Sequence, residues 1–452
     1  MNASPMTEKW NNRALFRLLW PLVIEQILAV TMGAADTVMV SSVGEFAVSG
    51  VNIIDNINNF LIIAFIALST GGAVVCSQYI GRHDSKNAAL ASRQLVYSVF
   101  IVSLVITAVA LLFRRPIIRI IYSRLEDDVM SAAMIYFLIT AISYPLLALY
   151  NACAALYRSV GNSQVPMRIA LMVNIINIGG NAFFIFGMHL GVIGVGLATL
   201  ISRAIAAVIL LVMLIRNQRI PVSLSGIMKI RVVPSMIKRI LNIGIPAGLE
   251  NSMFQFGRLL TQRIFPIFGT SIIAANAVTS VINSFSFMPG SAYGIALLTI
   301  VGQCLGAGDK EAARYFTGKI MRITWLTILI LSGLILFFRV SLVGLFNLSP
   351  DASAAAISFL NIHCISMAIG WAFSFALPNA LRAAGDAKYV MMVGTISMWT
   401  VRVSAAYILT FALGFGPSGV WLAMGGDFLV RGSCFLVRWT RGKWQDKKVI
   451  DN

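Results

Sequence analysis

Apolar residues in this chain fall into long unbroken runs. Such runs lie near 18–42, 51–77, 95–113, 131–156, 167–188 and 191–215. A second set lies near 241–267, 271–303, 320–338, 353–380, 389–412 and 417–439. A helix of roughly 20 apolar residues spans a bilayer. The alternating segments of about ten residues that mark a membrane β-barrel do not occur. The pattern predicts an all-α polytopic membrane protein with twelve transmembrane helices. The first run follows Lys9, Arg13 and Arg17 and lacks a small-residue cleavage site, so it reads as a retained helix.

The polar breaks orient the spans. With the N-terminus inside, 25 Lys and Arg residues fall in inside segments. Five (Arg114, Arg115, Arg119, Arg124 and Arg339) fall outside, and five more (Arg203, Arg258, Arg263, Arg402 and Arg431) lie within spans. This bias predicts an inner-membrane protein with both termini cytoplasmic, because translocation retains basic loops on that side. Composition agrees: 58% of the 452 residues are hydrophobic and 12% are charged, against roughly 25% charged in a soluble domain. The net charge of +18 is therefore an orientation signal, and no basic stripe with interleaved aromatics points to nucleic acid. The five cysteines form no CxxC pair, the three histidines are scattered, and there is no P-loop. No enzyme cluster, resident cofactor or metal is expected, and ATP is not the direct energy source.

The chain also repeats itself. Pro21 and Glu25 match Pro246 and Glu250, and Gly44 matches Gly269. Ile57-Asn58 matches Ile282-Asn283, and Gln78, Gly81 and Asp84 match Gln303, Gly306 and Asp309, all at an offset of 225. Leu156-Tyr-Arg158-Ser-Val-Gly161-Asn162 parallels Leu381-Arg382-Ala-Ala-Gly385-Asp386, and Gly194 parallels Gly419. Two six-helix bundles are predicted, 1–220 and 241–452, joined by a cytoplasmic linker at 221–240. Because six is even, the bundles should be related by a pseudo-two-fold axis along the membrane normal. That is the parallel-repeat plan of many secondary transporters, with substrate between the bundles and alternating access by rocking.

Intramembrane polar residues are the candidates for function, since a charge in hydrocarbon costs several kcal/mol unless paired, solvated or protonated. Asp36 lies 15 residues after Pro21, well inside the first run. It reads as a coupling carboxylate or as half of a buried ion pair. Glu25 lies three turns earlier on the same face, either facing the same cavity or making a helix-packing bond that Glu250 repeats. Asn174, Asn177 and Asn181 share a face of the fifth span. They could supply oxygen ligands to Na⁺ or hydrogen bonds between helices. Asn151 and Gln255 are further candidates for cavity lining. Asp55 reads as sitting close to the outer surface. Arg258 and Arg402, with Arg431 and Asp427, form internal ion pairs or receive an anionic group.

These segments resemble one known family. Pro21 and Asp36 within Ala-Ala-Asp36-Thr-Val-Met-Val, the Gln78-Tyr-Ile-Gly81 turn and the Arg158 loop are similar to the signature of MATE (multidrug and toxic compound extrusion) transporters. So is Asn177-Ile-Gly-Gly-Asn181 before Phe-Ile-Phe-Gly187. The resemblance covers roughly 15–440. It implies a monomeric antiporter that exports small amphipathic compounds, typically cationic, against inward Na⁺ or H⁺. It also implies a cation site at Asp36, Asn177, Asn181 and Thr199, with Asn181 standing where many relatives carry Asp. The alternative class is a flippase for a lipid-linked oligosaccharide or lipid II, using a cationic cavity.

Overall fold

A chain in hydrocarbon must satisfy its backbone hydrogen bonds within each segment, so every apolar run is expected to coil into a helix. The computed structural model describes residues 5–122, 125–229 and 231–450, with Arg124 outside them. The twelve predicted runs all appear as helices. In the first half they are α1 (Asn12–Ser41), α2 (Glu45–Gly81), α3 (Ser85–Leu112), the pair α4 (Asp127–Ile142) and α5 (Tyr144–Ser159), α6 (Gln164–Gly187) and α7 (Gly191–Arg216). In the second half they are α8 (Pro234–Gln262), α9 (Thr270–Gly306), α10 (Lys310–Gly344), α11 (Pro350–Ala383), α12 (Ala387–Ala412) and α13 (Ser418–Thr440).

Among the described residues, ten of these helices are long and apolar enough to cross a membrane, or eleven with the bent pair α4–α5 counted as one span. The remaining one, α8, has 29 residues and is long enough. Lys238, Arg239, Glu250 and Arg258 lower its hydropathy. The 46° bend between α4 and α5 falls at Ser143, where Pro145 in the first turn of α5 removes a backbone donor. The corresponding stretch of α11, Met367–Ala376, is wound as a π-helix and keeps the span continuous.

The repeat is visible in the caps. Asp84 Oδ1 accepts from Asn87 N at 3.0 Å to start α3, and Asp309 Oδ1 accepts from Ala312 N at 2.8 Å to start α10. The residue before each cap is left-handed, with φ of 60° at His83 and 77° at Gly308. The turn therefore imposes the same backbone on both copies, and only the second has the residue that adopts it without strain.

The described residues divide into two compact units, 13–248 and 5–12 with 249–450. In the first, α2 packs against α3, α4 and α5, and α7 packs against α5 and α6. In the second, α9 packs against α10 and α11, with α13 on α11. Two sequence boundaries shift. Residues 5–12 belong with the second unit, where Met6 and Trp10 are buried and Lys319 Nζ donates to Asn12 Oδ1 at 2.6 Å. The expected linker 221–240 is folded onto the first unit. Gln94 donates to Arg231 O at 2.6 Å and accepts from Val233 N at 3.0 Å, while Tyr97 OH donates to Ile227 O at 2.6 Å. Side chains on α3 thus satisfy a backbone that has no ladder of its own.

Polar ties fasten the first helix of each repeat. Glu25 Oε1 on α1 pairs with Arg158 Nη2 on α5 at 2.9 Å, and Glu250 Oε2 on α8 pairs with Arg382 Nη2 on α11 at 2.5 Å. Elsewhere helices meet backbone to backbone. A methyl group on Gly71 of α2 would lie 2.3 Å from Ile240 O of α8, which no side-chain movement can relieve.

Two predictions follow from this packing. Gly71→Ala should lower the melting temperature of the detergent-solubilised protein, by overpacking worth about 1–3 kcal/mol. An unchanged melting temperature would contradict the close approach of α2 and α8. Glu25→Ala and Arg158→Ala should each cost about 3 kcal/mol by stranding the other charge, and the double variant should cost less than their sum. Strict additivity in detergent unfolding would show that the pair is not coupled.

Candidate functional site

The four residues implied as a cation site come together in the first unit. Asp36 sits in the last turns of α1, Asn177 and Asn181 are one turn apart on α6, and Thr199 faces them from α7. Asn181 Nδ2 donates to Asp36 Oδ1 at 2.5 Å and approaches Asn177 Oδ1 at 3.4 Å. Asn177 Nδ2 in turn reaches Thr199 Oγ1 at 3.5 Å. Asn177, Asn181 and Thr199 are buried, and Asn181 Oδ1 is buried without a hydrogen-bond partner among the described residues. The arrangement therefore presents a carboxylate, two amide oxygens and a hydroxyl oxygen to one small region. No soft donor is among these four. Hard oxygen donors of this kind suit an alkali cation or a proton.

A second polar network adjoins it, and the sequence reading understated it. Asp55 on α2 is half-buried and accepts from Asn58 Nδ2 at 3.3 Å and from Tyr136 OH at 3.2 Å. Tyr144 OH donates to Asn58 Oδ1 at 2.8 Å. Arg203 on α7 donates to Ser143 Oγ at 2.7 Å, at the bend between α4 and α5. Asp36 lies near enough to Asp55 and Arg203 to feel both charges. Two carboxylates against one guanidinium leave a formal charge of about −1, which one monovalent cation or proton would balance. Arg203 follows Thr199 by one helical turn, and that spacing was the available signal for it.

Other candidates lie apart from this cluster. Glu25 is held by Arg158, and Glu250 by Arg382, so both act as ties between helices. Asn174 Nδ2 bonds to Ala170 O of its own helix at 2.9 Å. Asn151 Nδ2 is buried without a partner among the described residues and does not join the chain from Asp36 to Thr199. Gln255 is half-buried on α8 and joins neither that chain nor the cavity of the second unit.

The second unit holds a cavity of about 340 Å³ lined by residues of α8, α9, α11, α12 and α13, among them Arg258 and Arg402. Arg402 is 8% exposed and reaches Asp427 only at 3.9 Å, the same distance at which Arg431 approaches that carboxylate. Asp427 Oδ1 accepts a hydrogen bond from Ser397 Oγ at 2.6 Å. The guanidinium groups of Arg402 and Arg431 lie over the Phe254 ring at 5.0 and 5.3 Å, and Arg431 is 4.1 Å from the Phe375 centroid. The ring faces spread part of the positive charge that Asp427 cannot match. Arg258, accessible at the cavity, has no ion-pair partner among the described residues.

Comparison with known proteins fits this geometry. A family model described as MatE matches residues 21–183 and again 246–408, two copies separated by the offset of 225 found within the sequence. The uncharacterized transporter YisQ of Bacillus subtilis is 30% identical over 438 residues, covering 96% of this chain and 95% of its own. The probable multidrug resistance protein NorM of Thermotoga maritima is 26% identical, with 97% and 94% covered. A crystal structure of a MATE protein in the bent conformation shares the fold, with a TM-score of 0.89 at 18% identity over 96% of each chain. With a twice-matched family model and full-length similarity to its transporters, this chain belongs to the MATE family of multi-pass membrane transporters.

Proposed function

We propose that this protein exports small amphipathic organic compounds across the inner membrane by antiport with Na⁺ or H⁺, in an alternating-access cycle with both termini cytoplasmic. The observation that carries the reading is the chain from Asp36 through Asn181 and Asn177 to Thr199, adjoining Asp55 and Arg203. A carboxylate in this position gains most by taking up a cation, because bilayer and protein offer it little other solvation. Uptake of Na⁺ or H⁺ at Asp36 removes the charge that now holds Asn181 Nδ2. The packing of α1 against α6 then changes with cation occupancy. An element with two arrangements, biased by a cation, is what coupling requires.

The name of the Thermotoga maritima relative, a probable multidrug resistance protein, supports the export direction. The volume of about 340 Å³ in the second unit suits a drug-sized molecule. A lipid-linked oligosaccharide would need far more room, so the flippase reading is the weaker of the two.

Transport into everted membrane vesicles tests the reading, with a Na⁺ gradient and a pH gradient imposed separately. Ethidium and 2-naphthoate provide a cationic and an anionic substrate arm. Uptake of at least one should follow one gradient, fall to background in Asp36→Asn, and drop about tenfold in Asn181→Ala, equivalent to about 1.4 kcal/mol. Gradient-driven uptake that persists in Asp36→Asn would overturn the assignment of the coupling site. Uptake of neither compound with protein present in the membrane would overturn export of this class.

A further inference from the structure

The cavity of the second unit is the repeat-related counterpart of the cation cluster in the first, and its polarity is reversed. At the offset of 225, Asp36 corresponds to Thr261, Asp55 to Ser280, Asn58 to Asn283, Asn177 to Arg402 and Thr199 to Met424. Gly33, one turn before Asp36, corresponds to Arg258. All six second-half residues line the cavity. Both acids of the cluster, Asp36 and Asp55, correspond to hydroxyl residues. A glycine and an asparagine have become arginines. No Asp or Glu lines this cavity among the described residues.

We propose that this cavity is the binding site for a compact aromatic organic anion, with its carboxylate or equivalent acidic group between Arg258 and Arg402. Four observations carry the inference. Arg402 and Arg258 line the same cavity. Asp427, the nearest acid to Arg402, is divided between two guanidinium groups at 3.9 Å, too far for a hydrogen bond to either. Three arginines against one aspartate leave a formal charge of about +2 around a low-dielectric space, which an entering anion would reduce. The guanidinium fork matches a carboxylate in shape as well as charge.

The walls supply the rest of the recognition. Phe287, Trp371 and Phe375 form a stacked aromatic row, with centroid separations of 6.4 and 5.1 Å and interplanar angles of 20° and 22°. A planar ring can extend that row. Polar atoms of three other lining residues lack partners among the described residues. His363 is 2% exposed with neither ring nitrogen bonded, and Trp421 Nε1 and Asn283 Oδ1 are likewise buried and unbonded. Buried polar atoms left without partners mark places where a ligand completes the network. The inference rests on the export reading for the direction of transport. Binding to the cavity does not depend on it, and the inferred charge is opposite to the cationic substrate expected from family resemblance.

Isothermal titration of the purified full-length protein in detergent with 2-naphthoate tests the proposal, with 2-naphthylmethanol as the uncharged isostere. Saturable binding of the acid is expected, at least tenfold tighter than the alcohol. Arg258→Gln should weaken the acid at least tenfold and leave the alcohol unchanged. Arg258 has no ion pair to break among the described residues, so this variant should fold, and an unchanged melting temperature confirms that. Arg402→Lys, which keeps the charge but loses the fork, should weaken the acid by a smaller factor. No saturable binding of the acid, equal affinity for acid and alcohol, or an acid affinity unmoved by Arg258→Gln overturns the site. Asp36→Asn should bind the acid with wild-type affinity. If it does so while gradient-driven uptake is lost, the site and the coupling residue are separate. Binding that disappears with Asp36 instead would place the anion elsewhere.

Discussion

A charge inside the bilayer must find its compensation within the protein, because hydrocarbon offers none. How each intramembrane charge meets that requirement organises this molecule. Glu25 and Arg158, like Glu250 and Arg382, neutralise each other across neighbouring helices. These pairs fasten α1 and α8, the first helix of each repeat, to the fourth spans. Among the described residues, Asp36 has no such partner. It is held by an amide at 2.5 Å, with Asp55 and Arg203 as further charges nearby. Compensation is complete at the ties that fasten helices and incomplete at the Asp36 cluster.

The duplicated architecture shows how one scaffold comes to carry two different electrostatic environments. Turns, caps and helix-to-helix ties recur at a nearly constant offset because each solves the same backbone problem in both copies. Asp84 and Asp309 both start a helix by accepting a backbone N–H after a left-handed residue. The residues facing the interior of each unit are under no such constraint. They diverge from Asp36 and Asn177 to Thr261 and Arg402 without disturbing the frame. The Asp36–Asp55–Arg203 cluster of the first unit is left one positive charge short, and the surroundings of the second unit's cavity carry an excess.

Irregular backbone marks the same regions. The first copy breaks at Ser143, where Pro145 starts a new helix and Arg203 bonds the Ser143 hydroxyl. The second copy stays continuous but winds as a π-helix over Met367–Ala376, the stretch that brings Met367, Trp371 and Phe375 to the cavity. Arg402 also lies in a π-helical stretch, Met398–Val403. Wider turns re-aim side chains that a regular α-helix would send elsewhere, and π-turns concentrate at functional sites for that reason.

The sequence by itself determined the twelve helices, since an apolar run of this length has one way to satisfy its backbone in a membrane. It also determined the duplication, because caps and proline positions are local signals repeated at a fixed offset. The membership of Asp36, Asn177, Asn181 and Thr199 in one cluster was legible only as what the resemblance to MATE transporters implies. Tertiary structure decided what lies beyond local reach. Helical periodicity puts Glu25 and Asp36 on one face, yet Arg158, more than a hundred residues away, claims Glu25 for a tie between helices. Asn174 and Asn177 share a face too, but only Asn177 meets Thr199. Asp55 looked like a residue near the outer surface until packing brought Tyr136 against it. The expected linker became a strap because two side chains of α3 supply its hydrogen bonds. Partner choice of this kind depends on distances between helices, and no periodicity within one segment encodes them.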